Sequence, residues 1–220
     1  CNMKEFFGSL LGKLRKHFGM ETVSVFTVRN LYISSFMDLM DEQGYEKAAR
    51  KMFSWGYSMG HEYMLTLTKD VEKLKPFEDT PLVARLAWYF FSGRSLAGVE
   101  DWWEEWLDKR VYLLKFWDDD SPWCRGIELS GKKMCFYPAG AYEGAYQTAQ
   151  LIWGLDRVAI VRETTCKASG DDRCEFLIID LPFEGEEQIK SLLEEAGRRV
   201  PGIFDVVPFT MSLELRKGVI

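Results

Sequence analysis

Two pairs of glycines, each spaced four residues apart, constrain the fold of this chain more than any other feature. Gly56 and Gly60 lie on an apolar stripe at helical spacing, and Gly140 and Gly144 repeat the spacing in a later segment rich in small residues. Residues four apart share one face of a helix, where each glycine costs about 1 kcal/mol of helix stability relative to alanine. The pattern predicts two helices that cross closely along these glycines or flank a ligand channel.

The chain changes from helical to strand-like patterns along its length. Apolar residues at helical spacing predict five helices, at 30–40, 46–67, 82–91, 138–153 and 184–200. Alternating or β-branched composition predicts three strands, at 110–117, 157–163 and 174–180, the last two joined as a hairpin with a long loop. Strands that follow a helical half predict the α+β class.

The two ends of the chain predict segments of their own. Residues 2–18 have the pattern of a basic amphipathic helix, which could dock on its own domain, on a second copy or on an anionic membrane surface. We expect docking on protein. Residues 22–28 are compatible with a strand or a loop, and the last twenty residues read as an extended tail. The predicted units are therefore residues 1–20, 21–182 and 183–220.

Charge and composition exclude several classes of protein. The net charge of −6 argues against a general nucleic-acid-coating role, and no apolar run reaches the eighteen or so residues of a membrane span. Five cysteines, an odd number, argue against a complete disulfide framework and favour a reducing cytosol. The sequence starts at Cys1 without a recognisable signal peptide, so lipid modification of this cysteine is kept as a secondary alternative.

The hairpin carries a candidate metal site. Glu163, Cys166 and Cys174 lie near the ends of the hairpin loop, and zinc accepts thiolate and carboxylate ligands. A structural zinc needs a fourth ligand, for which Cys135 is the first candidate and Cys124 the second. The same spacing also fits two structural thiols or a disulfide across the hairpin.

Aromatic residues are unusually frequent, with fifteen Phe, nine Tyr and eight Trp. Large rings fill cores and also line ligand cavities. We predict a cavity lined by rings of the buried helices: Phe53, Tyr57, Trp88, Phe91 and Tyr142.

Signals of catalysis are weak in this sequence. The two histidines, His17 and His61, are expected to be packed or solvated, and no catalytic triad, Walker loop or dinucleotide fingerprint is present. The run of tryptophans and carboxylates at 100–106 could suit glycoside chemistry or stack on sugars. We predict instead a helix with one aromatic and one acidic face.

The hairpin sequence resembles a known family motif. The pattern E-x₂-C-x₃-G-x₃-C-x-F at Glu163, Cys166, Gly170, Cys174 and Phe176 is similar to the closing motif of the 4-vinyl reductase-type domain. The two glycine-bearing helices also fit that family, and the resemblance covers roughly residues 25–180. The family is similar in fold to the small subunits of the TRAPP vesicle-tethering complex, which have a helical layer on a small antiparallel sheet and dimerise through helices.

The resemblance implies a binding module. Domains of this family act as sensors of small apolar or aromatic molecules and hold zinc through a Glu, two Cys and a further Cys at the start of the small-residue helix. Glu163, Cys166 and Cys174 match three of these ligands, whereas the fourth place aligns with Gly140, which cannot coordinate, so Cys135 would have to substitute. The TRAPP-like relatives carry no such metal and enclose an acyl chain.

Three functional hypotheses follow. The first is a non-catalytic, sensor-like domain at 21–182 that binds a hydrophobic or aromatic molecule and acts as a cytoplasmic homodimer without nucleic acid. The second is a TRAPP-like assembly subunit that touches membranes through the helix at 2–18. The third, suggested by the family name, is a reductase, for which the sequence offers no evident catalytic residues.

Overall fold

The computed structural model describes residues 25–218, with the side chains of Val25, Phe26 and Phe90 left aside. This part of the chain contains seven α-helices, which are α1 Val25–Gln43, α2 Tyr45–Thr66, α3 Thr68–Val71, α4 Thr80–Ser92, α5 Phe136–Ile152, α6 Glu186–Arg199 and α7 Phe209–Lys217. The five helices predicted from periodicity correspond to α1, α2, α4, α5 and α6. The helix predicted at 2–18 lies outside the described residues. Residues 25–28, for which a strand or a loop was expected, belong to α1.

One antiparallel sheet runs through the molecule. Its strands are β1 Gly98–Trp106, β2 Lys109–Asp118, β3 Arg157–Thr165 and β4 Cys174–Pro182, in the spatial order β1-β2-β4-β3. Helices α1, α2, α4 and α5 pack on one face around a large aromatic core, and α6 packs on the other face. Covering both faces explains why β3 and β4 are buried along almost their whole length. The predicted α+β class, with a helical layer on an antiparallel sheet, is confirmed.

The acidic, tryptophan-rich segment at 100–106 is a strand, so the predicted helix is wrong there. Trp102 and Trp106 lie on one face of β1 and both donate their indole N–H to Glu104 between them, at 2.8 and 2.7 Å. Residues two apart share a face only in a strand. Pairing with β2 over the whole length of β1 decides the conformation.

The tail after residue 200 contains a docked helix, α7, where the sequence predicts an extended segment. Buried Arg162 of β3 holds this region. Its guanidinium donates to the Val207 carbonyl at 3.0 Å and to the Ser212 hydroxyl at 2.8 Å, and it pairs with buried Glu143 at 2.7 Å. The tail therefore supplies part of the hydrogen bonding that a buried guanidinium requires.

Helices α2 and α5 cross with their backbones in contact. A Cβ atom at Gly56 would lie 2.0 Å from the carbonyl oxygen of Tyr137, and one at Gly60 would lie 2.0 Å from that of Ala141. On the other side, a Cβ at Gly140 or Gly144 would lie 2.1 Å from a carbonyl oxygen of α2. All four glycines therefore face the crossing itself, and no channel separates the two helices at these positions.

Among the described helices, none is both long and apolar enough to cross a membrane.

We expect Gly60→Ala to destabilise the fold by at least ~2 kcal/mol, because the new methyl group would meet backbone that cannot rotate away. The matched control is Gly197→Ala on α6, where the nearest atom would be a Phe204 ring carbon at 3.7 Å. There the higher helix propensity of alanine should stabilise the protein by up to ~1 kcal/mol. Urea denaturation measures both changes, and equal effects would contradict the close crossing.

Candidate metal centre and apolar cavity

Four cysteines meet at one end of the sheet. Cys174 begins β4 opposite the end of β2, Cys166 follows β3, Cys135 immediately precedes α5, and Cys124 lies in the loop between β2 and α5. All four are free and buried. Their sulfur atoms lie within 4.8 Å of one another, with Cys124 Sγ 3.1 Å and Cys135 Sγ 3.9 Å from Cys174 Sγ.

This arrangement fits a tetrahedral metal ion. Zinc bound by four thiolates at about 2.3 Å has sulfur–sulfur separations of about 3.8 Å, close to the distances in the cluster. Buried thiols from four separate segments could therefore hold a metal ion with little rearrangement.

The structure brings together three of the four predicted ligands, Cys135, Cys166 and Cys174, but places Cys124 where Glu163 was expected. Glu163 lies beside the cluster, and its Oε2 accepts a hydrogen bond from the Cys135 backbone N–H at 2.9 Å. Its Oε1 is buried and has no hydrogen-bond partner among the described residues. The carboxylate therefore orients the start of α5, while a second loop supplies the fourth thiol.

The electrostatics of the cluster favour one thiolate before the others. Hydrogen bonds from Cys124 and Cys135 lower the pKa of Cys166 to about 7. Burial raises the pKa of Cys135 and of Glu163 well above the usual values. A thiolate is the form that binds metal, so Cys166 is the natural first ligand.

The hairpin loop is held in shape around Cys166. Asp171 accepts the Cys166 backbone N–H at 2.7 Å, and the Leu129 N–H donates to the Ala168 carbonyl at 2.7 Å. Gly170 adopts φ +100°, a conformation that side chains other than glycine rarely tolerate. The family-like glycine thus closes the turn that returns the chain to Cys174.

A cavity of about 300 Å³ lies between the end of α2, α3, α4 and α5. Most of its wall is apolar, and its lining includes Met64, Leu67, Leu82, Val83, Ala145 and Ala149. A volume of this size is at the lower end of the range for small-molecule sites. The alanines that create the space recur every four residues along α5, a signal that the sequence already contained.

Of the five rings predicted to line a cavity, Tyr142 is the one on this wall. Trp88 is fully buried, packs on Phe116 and Phe176, and donates its indole N–H to Asp118 at 2.8 Å. It belongs to the packed core.

The other three predicted rings lie elsewhere. Tyr57 donates to Gln147 at 3.0 Å beside the glycine crossing, and Phe91 packs on Tyr63 at 5.7 Å. Phe53 lines a second cavity of about 300 Å³, beneath residues 201–207.

The histidines show no catalytic arrangement in the described part of the chain. His61 Nδ1 and the Thr148 hydroxyl are 2.8 Å apart at the α2–α5 contact. His17 lies outside the described residues.

Comparisons with known proteins agree with this architecture. Residues 118–179, which contain all four clustered cysteines, match the family model of the 4-vinyl reductase-type domain, so the resemblance drawn from the hairpin motif is confirmed. A trafficking protein particle complex subunit 3 from Naegleria fowleri, covalently bound to palmitic acid, has a TM-score of 0.52 at 18% identity and covers 76% of this chain and 100% of its own.

The phenol-responsive sensory domain of the transcription activator PoxR, solved with phenol, has a TM-score of 0.50 at 16% identity, covering 80% of this chain and 82% of its own. At such identities the likeness shows a shared fold. No curated protein matches the sequence.

The proximity of the thiols can be tested by oxidation. In metal-free protein treated with oxidised glutathione, we expect a disulfide between Cys124 and Cys174 first, because their sulfurs need to approach by only about 1 Å to reach the bonded distance. Peptide mapping without reduction identifies the linked pair, and Cys124→Ser is the control that should abolish it. A predominant Cys166–Cys174 link would contradict the cluster geometry.

Proposed function

We propose that this chain, whose residues 118–179 match the 4-vinyl reductase-type domain, is a sensor-like domain that binds a small hydrophobic molecule and is braced by a structural zinc ion. The observation that carries the proposal is the apolar cavity between α2, α4 and α5. It lies within a fold shared with proteins solved with phenol and with palmitic acid.

The cavity supports reversible binding. Among the described residues that line it, none is a cysteine, so a thioester such as one to a fatty acyl group has no acceptor there. Burial of apolar ligand surface would supply the free energy of binding, at roughly 25 cal/mol per Å² removed from water.

Zinc is the metal that the four thiols support best, because it prefers tetrahedral sulfur ligands. Cys124, Cys135, Cys166 and Cys174 would hold it, and four protein ligands leave no open position for a reacting water. The ion would serve as a crosslink. It would join the β2–α5 loop, the start of α5 and the hairpin, and so fix the helix that forms the cavity floor.

The assembly alternatives stay predictions. Homodimerisation is supported by exposed Leu31 on α1 and Trp55 on α2, which leave apolar surface on the helical layer. Membrane contact was assigned to the helix at 2–18, outside the described residues. A cytosolic location also remains a prediction, supported by the four free thiols.

Filling the cavity tests the ligand site. We expect Ala145→Phe to lower the affinity for butylbenzene at least ~10-fold with little loss of stability, because the new ring occupies space that is empty. Ala97→Phe, the same change at an exposed site outside the cavity, should leave the affinity unchanged. Calorimetric titration measures binding. Equal affinity in both variants would place the ligand elsewhere or nowhere.

The metal proposal predicts different outcomes for two neighbouring side chains. Untagged protein should contain equimolar zinc by elemental analysis, and Cys124→Ser should lose most of it because serine is a poor zinc ligand. Glu163→Gln is the control, which should keep zinc because the amide oxygen can still accept the Cys135 N–H. Zinc lost from Glu163→Gln but kept in Cys124→Ser would restore the ligand set predicted from sequence.

A further inference from the structure

Four buried polar side chains gather on the inner side of the apolar cavity. Thr80 at the start of α4 and Tyr146 of α5 belong to its lining, and Gln150 and Asp180 lie behind them. Each of the four is more than nine-tenths buried. A polar cluster on one wall gives an otherwise apolar cavity two chemically different sides.

The cluster has unused hydrogen-bonding capacity. The hydroxyls of Thr80 and Tyr146, both polar atoms of Gln150 and Oδ2 of Asp180 make no well-formed hydrogen bond within the described chain. Buried polar groups without partners destabilise a fold, and most proteins satisfy them. A guest that brings a donor and an acceptor to Thr80 and Tyr146 would remove that penalty.

The charges around the cluster decide what kind of guest fits. Arg157 occupies the other oxygen of Asp180, with its Nε 2.6 Å from Oδ1. Among the described cavity-lining residues the one cation is Lys73, which is solvent-exposed and pairs with Asp70 at 2.9 Å. An anionic head group on the inner side would therefore lose its hydration, meet the Asp180 carboxylate and find no cation.

Building on the proposed function, we propose that the cavity selects a neutral amphiphile, an apolar body with one hydroxyl or amide head bound to Thr80 and Tyr146, over a carboxylate of the same length. The apolar body lies along the alanines of α5 and the aliphatic side chains of α4. The head group takes the place of the hydrogen-bond partners that the cluster lacks.

Three probes with one common body test this selectivity on the full chain: butylbenzene without a head group, phenylbutanol with a neutral one and phenylbutanoate with a charged one. Calorimetric titration is done at mildly alkaline pH, where the probe carboxylate is ionised. We expect phenylbutanol to bind at least ~10-fold tighter than phenylbutanoate.

Removing the two hydroxyls without changing their volume tests the contact itself. Thr80→Val with Tyr146→Phe should weaken phenylbutanol at least ~5-fold and leave butylbenzene within about 2-fold, since that probe makes no hydrogen bond. If the double variant does not fold, Tyr146→Phe alone is compared in the same way.

The outcomes separate this inference from the proposed function. If butylbenzene binds the parent protein, but phenylbutanoate binds as tightly as phenylbutanol or the hydroxyl variants weaken all probes equally, the cavity site stands and the head-group selectivity is wrong. If no probe binds the parent protein, the proposed ligand site itself is wrong.

Discussion

The backbone contact between α2 and α5 is the constraint on which both candidate sites depend. Four glycines allow the two helices to touch, since a Cβ at any of them would come within 2.1 Å of a carbonyl oxygen. The crossing fixes the position of α5. The start of α5 then brings Cys135 to the other three cysteines, and its alanine-rich later turns form one wall of the cavity. A metal ion at one end and a ligand at the other would therefore act on the same rigid helix.

A buried ion pair sets the second constraint. Arg162 and Glu143 join β3 to α5, and Arg162 also holds the C-terminal segment through Val207 and Ser212. Burial raises the pKa of Glu143 and lowers that of Arg162, so each charge depends on the other. Breaking such a pair is costly because it leaves one charge buried alone. The pair contributes to a specific arrangement of strand, helix and tail as much as to stability.

Most elements were predictable because their signals are local. Helical spacing identified five of the helices, and β-branched composition with a glycine-closed loop identified the hairpin. The segment at 100–106 was mispredicted because tryptophans and carboxylates fit an amphipathic helix or a strand, and pairing with β2 made the choice. Helix α7 was missed because its place depends on Arg162, far away in the sequence.

By itself, the sequence determined the helix crossing, the hairpin and three of the four clustered thiols, since fixed spacing within one element decides which residues share a face. Only the tertiary structure decided that Cys124 joins the cluster in place of Glu163, and that the empty space lies beside alanines of α5 instead of among the large rings. Both depend on how separate segments meet. A loop can bring a thiol within 3.1 Å of another one fifty residues away, and rings that could line a cavity can instead fill one another's gaps.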